Sequence, residues 1–394
     1  MAACHAARPG VRVVVLERKS DGGRKILISG GGRCNVLPAE LDERRFVTAS
    51  SPNSLRKILR GWPMREMRRF FESEAELPLV EEVETGKLFP VANTSRSVRD
   101  ALVKLAQRRG VVVRTNSTVS GIEPWDGRWR VLIEDSEPLV ADAVIVATGG
   151  LSVPQTGSDG FAFRNLPALG FTLHPTYPAL TPLTISPPTF ADLAGVSLDV
   201  DISARSASEQ RHARGGFLFT HRGYSGPGLL DVSHVAVRAR LAGEGRAALT
   251  VDWCGLGTDG WQERLQPGPG LVLTALRKEM PTRLADRLMQ EAGVGLDTPT
   301  SRLDRESRRR LLRVLSSFEL PWSSDEGYRK AEVTGGGIAL EEVDPVTMES
   351  RRHPGLYVVG ESLDAFGPIG GYNFTWAWVT GHLAGRAAAS RLAG

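Results

Sequence analysis

The stretch GGRKILISGGGRCNV, residues 22–36, sets the triplet Gly30, Gly31, Gly32 between Ser29 and the polar run Arg33, Cys34, Asn35. Glycine has no Cβ and tolerates positive φ, so such a run suits a flexible loop or backbone pressed against a bound group. Three further clusters adjoin apolar or helical segments. Thr148, Gly149 and Gly150 follow Val144 to Val146; Gly360 and Glu361 follow Leu356 to Val359; Gly370 and Gly371 precede Tyr372 and Asn373 at the start of a small-residue segment. A helix start offers free N–H groups and the positive end of a dipole to an anionic or electron-rich group. Glu17 ends the apolar run that begins at Val11, the position from which a dinucleotide-binding fold holds a ribose. Glu361 and Asp364 stand where a carboxylate would meet sugar-like hydroxyls. Among single residues, His221 in FTHRGYSGP is the histidine best suited to proton delivery, although shaping a glycine-proline turn is the commoner use of such a position. Cys34 offers a thiol, but without a Cys-x-x-Cys partner it reads as packing. Cys4 and His5 have no further ligands at metal spacing, so no metal is expected.

These residues need a scaffold, and the apolar pattern supplies one. Residues 2–10 read as the last turns of a helix closed by Pro9 and Gly10, and 11–17 as a parallel strand buried on both faces. Helical spacing covers 53–74 and 94–109. A buried strand at 111–114 and a hairpin turning at Asp126 and Gly127 follow, with Trp125 and Trp129 expected to pack as a cross-strand pair or its neighbour. From about 173 the chain becomes proline-rich and β-like to about 258, then helical over about 268–320. There the arginines of 302–313 read as a solvated helix face. A buried strand at 356–359 and a final helix return to the first domain. The expected organisation is one discontinuous domain, 1–172 with 331–394, and an insert, 173–330.

The segments GRKILISGGGRCN, ATGGLSVPQTGSDG, FTHRGYSGP, VTGGGI and LYVVGESLDAFGPIGGYN, in this order, resemble the bacterial BaiN/YhiN-like flavoproteins. That resemblance implies an α/β fold: a glutathione-reductase-like, Rossmann-type FAD/NAD(P)-binding domain interrupted by an insert with β-rich and helical parts. It implies that Ser29 to Asn35 line the flavin side of an FAD cleft, with Arg24 and Lys25 near phosphate or flavin oxygens. Gly336 and Gly337 would form a second backbone face near the ring. Gly360 and Glu361 would hold the ribityl-pyrophosphate segment, and Gly371, Tyr372 and Asn373 would point a helix N-terminus at the flavin carbonyl edge. Family members begin with a strand and a Gly-x-Gly-x-x-Gly turn that receives the pyrophosphate, whereas this chain starts within the helix that follows. The expectation is a start of the reading frame placed too late, with weak flavin retention and exposed strand edges in the chain as written.

The expected activity is FAD-dependent hydride transfer between flavin N5 and a small organic substrate, such as reduction of a conjugated C=C, with NAD(P)H as donor. The rival expectations are a tRNA-modifying flavoprotein, recognisable by a basic face on the insert, and a remnant that no longer binds FAD. The composition, 41% hydrophobic and 24% charged over 394 residues, is that of an ordinary globular protein. A net charge of +4 makes no demand for nucleic acid, and none is expected as partner. Three scattered cysteines do not fit a disulfide framework, and neither a long apolar run nor a signal-peptide pattern is present, so a cytoplasmic setting without membrane is expected.

Overall fold

A computed structural model describes residues 1–393, in two compact units: Met1–Thr176 with the segment from Val333 onward, and Tyr177–Glu332. In the first unit Val14–Leu16 pairs in parallel with Val112–Arg114, and Leu356–Val358 pairs in parallel with Val144–Val146. Each is a two-stranded sheet. The sequence pattern called for strands covered on both faces. Instead Val14–Leu16 is half-buried, and Val112 and Val113 are 44% and 39% exposed, because a lone pair of strands leaves edge and face open.

The hairpin Val119–Trp125 and Arg128–Ile133 turns at Asp126 and Gly127, whose φ values of 47° and 72° are those a two-residue turn of this hand requires. Its register pairs Pro124 with Trp129 and Trp125 with Arg128. The two tryptophans therefore lie on opposite faces, which corrects the expected cross-strand pair. Trp129 is buried and donates to the Pro354 carbonyl at 3.1 Å, while Trp125 is half-exposed beneath Arg130.

The helix Tyr372–Ala393 runs through this unit's core and carries the buried Trp376, Trp378 and Val379. Gly381 and Gly385 let the short helix Ala2–Ala6 lie against it; a Cβ on Gly385 would come within 2.3 Å of the Ala2 carbonyl oxygen. His5 and His382 meet there at 3.3 Å, with Trp62 stacked on His382.

The second unit is built on a seven-stranded sheet. Its order is Phe318–Glu319, Ala248–Trp253, Ser197–Arg205, Gln210–Thr220, Gly223–Ser225, Leu183–Thr184 and Ser324–Asp325. A helix at Pro227–Leu241 lies in the span read as β-rich. It escaped detection because apolar residues occur all round it, so no amphipathic period marks it. Gly215 and Gly228 let it settle on the sheet, since a Cβ on Gly228 would stand 2.9 Å from the Gly215 carbonyl oxygen. The arginine-rich helix Arg305–Ser316 begins at Asp304, whose carboxylate accepts from the Glu306 and Ser307 amides, and it buries Leu311, Leu312 and Leu315. Arg308 and Arg310 fold back to donate to backbone carbonyls, so that face is only partly given to solvent.

Candidate cofactor site

Helix Arg24–Ile28 runs directly into the glycine triplet, where φ is 54° at Gly30, 64° at Gly31 and 86° at Gly32. Three successive left-handed residues are a conformation that side chains resist, so the dihedrals alone demand glycine. A Cβ on Gly31 or Gly32 would meet no protein atom within 4 Å. The triplet thus presents exposed backbone to open space.

The side chains around it separate into two sets. Ser29 donates to the Ile26 carbonyl at 2.7 Å, and Arg24 pairs with Asp21. Arg33 reaches Glu82 at 2.9 Å and Asn93 at 2.7 Å, its guanidinium over Phe89. These three are spent locally. Cys34 is fully buried and burial raises its thiol to about 11, the state of a packing cysteine and not of a nucleophile. Asn35 differs: its Oδ1 is buried without a hydrogen-bond partner among the described residues.

Lys25 points away from the loop into a polar knot. Its ammonium contacts Glu361 and Ser152, the Ser152 hydroxyl donates to Glu361 Oε1, and the Thr334 amide donates to the same oxygen at 2.9 Å. The Thr334 hydroxyl oxygen accepts from the amides of Leu151 and Ser152 at 2.8 and 3.1 Å. Burial pushes the Glu361 carboxyl up, but the Lys25 charge and the hydrogen bonds from Lys25, Ser152 and Thr334 outweigh it and hold the group below its ordinary value. Gly150 is where the knot closes, since a Cβ there would lie 2.5 Å from the Thr334 hydroxyl oxygen and 2.7 Å from Glu361 Oε1. Ser362 ties in Gly149 by donating to its carbonyl at 3.0 Å. Both oxygens of Glu361 are therefore engaged within the protein, where the sequence reading faced them toward the cofactor. Thr148 Oγ1, just before these glycines, is a second buried oxygen without a partner among the described residues.

The remaining glycines answer to backbone packing. A Cβ on Gly336 would stand 2.2 Å from the Pro175 carbonyl oxygen, one on Gly337 would stand 3.0 Å from that of Ser362, and one on Gly371 would stand 2.7 Å from the Leu37 carbonyl carbon. Gly370 lies against the Lys87 side chain. Gly360 donates to the Thr380 hydroxyl at 3.0 Å and accepts from the Trp376 indole at 3.0 Å. Asn373 brackets Gly367, accepting from its amide and donating to its carbonyl, both at 2.9 Å. Tyr372 packs on Phe46, its hydroxyl turned to the Glu40 and Asp42 backbone. These two side chains close the 367–373 loop. Asp364, expected to face hydroxyls, accepts from Ala49 N, Ser50 N and Ser50 Oγ at 2.8 Å and from Thr48 Oγ1 at 2.9 Å. Glu17 accepts from the Lys19 amide at 2.9 Å and keeps its second oxygen free among the described residues. His221 lies on the exposed turn between Gln210–Thr220 and Gly223–Ser225 in the second unit. Sequence reasoning missed Ser152, Thr334 and the Thr48 to Ser50 cage; a hydroxyl residue within two positions of a glycine run was the signal available for the first two.

The profile of the HI0933-like protein Rossmann domain matches residues 1–387. The chain belongs to the HI0933-like family. It is 31% identical to the 3-dehydro-bile acid delta(4,6)-reductase of Clostridium scindens, over 99% of this chain and 96% of that protein. It is also 31% identical to the ribosomal RNA dihydrouridine synthase of Escherichia coli, over 95% and 91%, and 30% identical to the protein of that name from Haemophilus influenzae, over 95% and 92%. This HI0933-like protein is an FAD-dependent oxidoreductase with a Rossmann-type domain. Its residues fit the cofactor: open left-handed backbone at Gly31 and Gly32, and two unsatisfied buried oxygens in the flanking loops. Among the described residues no helix is long and apolar enough to cross a membrane.

Proposed function

We propose that this protein reduces a carbon–carbon double bond conjugated to a carbonyl in a small organic substrate, with NAD(P)H as electron donor. The reading rests on one observation: Lys25, Ser152, Thr334 and Glu361, from distant segments, lock together the two glycine loops that carry Asn35 and Thr148. The relatives' names support the reaction class, because both describe adding two hydrogens across a double bond conjugated to a carbonyl. FAD, when bound, supplies a hydride from N5. The backbone of Gly30 to Gly32 and of Gly149 would hold it by close approach, with the free Glu17 oxygen accepting from a hydroxyl. Asn35 Oδ1 is an acceptor for an N–H donor, and the Thr148 hydroxyl can donate or accept. Lys25 fixes a positive charge at the junction, and Glu361 keeps it there.

The test uses the purified full chain. Its visible spectrum should show bound flavin, NADPH should bleach that spectrum anaerobically, and a 3-oxo-4,6-dienoic bile acid should restore it. Bleaching without reoxidation by the dienone would sink the substrate class, and absence of bleaching would sink the donor.

A second reading places the double bond in a uracil of RNA. It is favoured by Asn53, Arg56, Lys57 and Arg60, which share the outward face of helix Pro52–Leu59 and border a cleft of about 320 Å³. Arg60 pairs with Glu43, whereas Arg56 and Lys57 make no ion pair among the described residues. This basic face is on the first unit and not on the insert. RNA binding that weakens steeply with salt, and is flattened in an R56A/K57A variant, is the expected outcome of this reading; salt-insensitive or absent binding removes it.

A further inference from the structure

The second unit holds a cleft lined by none of the residues assigned to the cofactor. Its volume of about 430 Å³ falls in the range of small-molecule sites. One wall is aromatic. Phe190 and Phe318 meet edge to face at 6.0 Å, and Trp322 is fixed by its indole N–H, which donates to the Ala247 carbonyl at 2.9 Å. All three rings are buried, so the wall is preformed.

Two cations share this cleft. Arg287 lies over the Phe190 ring at 4.6 Å and pairs with Glu291 at 2.9 Å. Arg246 lies over the Trp322 ring at 5.6 Å and, among the described residues, has no carboxylate partner. Behind the aromatic wall Tyr224 is fully buried, 6.4 Å from Phe190 between ring centroids, and its hydroxyl finds no hydrogen-bond partner among the described residues. Burial raises the phenol above its ordinary value, against the opposing pull of Arg246 and Arg287, while Glu291 adds to the rise. Tyr224 backs this wall and is not among the residues that line the cleft.

We propose that this cleft binds a small aromatic carboxylate, its ring against Phe190, Phe318 and Trp322 and its carboxylate taken by Arg246. The planar guanidinium fork matches a carboxylate, and the ring wall matches a flat apolar body. Glu291 is taken by Arg287, so Arg246 is the one cleft cation left without a carboxylate partner among the described residues; with Glu319 opposing further negative charge, that suits a single carboxylate better than a polyphosphate or nucleic acid. The inference is independent of the flavin reading.

Calorimetric titration of the full chain with 2-naphthoate tests it. Saturable binding is expected, at least tenfold tighter than for the neutral 2-naphthylmethanol and not displaced by inorganic phosphate. R246M, at an exposed position, should weaken it at least tenfold. Equal binding of the neutral analogue, undiminished affinity in R246M, or displacement by phosphate would each overturn the assignment.

Discussion

Glu361 and Asp364 stand three residues apart and are satisfied in opposite ways. Glu361 meets an ammonium as well as neutral donors, and its partners come from three distant segments: the helix before the glycine triplet, the loop after Gly150 and the strand Val333–Ile338. Asp364 meets chiefly neutral donors, all within Thr48 to Ser50, with His174 Nε2 more distant at 3.8 Å. The first carboxylate links three distant segments by charge as well as hydrogen bonds, and the second staples a loop to the core by hydrogen bonds. The difference predicts that the two will respond differently to loss of partners.

Asp364→Ala should do the most damage, because it removes the buried acceptor shared by the Ala49 and Ser50 amides and the Thr48 and Ser50 hydroxyls; a loss of about 3 kcal/mol in denaturant unfolding is expected. Lys25→Met should cost about 2 kcal/mol at neutral pH, less than a fully buried pair because Lys25 is 31% exposed. Its sharper signature is a reversal. In the native chain the Glu361 carboxyl lies below its ordinary value of 4.5, so the stability it contributes is present above that pH and lost as the pH falls through the lowered value. In the Lys25→Met variant burial dominates and the carboxyl is raised, so stability should be lost as the pH rises. Parallel pH profiles for the two proteins would refute the role given to the pair. Asp364→Asn should show no such reversal.

Gly150→Ala should cost about 1–3 kcal/mol by overpacking against Thr334 and Glu361. Gly31→Ala meets open space and should cost only about 1 kcal/mol from its left-handed dihedral, yet weaken FAD retention in equilibrium dialysis more than Gly150→Ala does per unit of stability lost. If both variants hold FAD equally, the triplet does not face the cofactor.

What was legible in the sequence follows from the range of the forces involved. Glycine requirements are local, and Gly30 to Gly32, Gly149 and Gly371 all adopt the positive φ that their clustering suggested. Strand and turn positions such as Asp126 and Gly127 are local too. Side-chain partnership is not. Nothing near Lys25 in the chain points to Glu361, and nothing near Asn373 says that its amide will close a loop instead of meeting a ligand. The tryptophans at 125 and 129 were misread because a one-residue difference in register moves a side chain to the other face. The helix Pro227–Leu241 was missed because burial on all sides erases the period that identifies a helix.

The Lys25–Glu361 pair joins positions 336 residues apart, with the whole second unit between them. A ribosome adding roughly 5–20 residues per second needs on the order of a minute or less to traverse that interval. Throughout it the early glycine loop waits with its lysine unmatched, and the clasp can shut only when the segment that carries Glu361 has emerged.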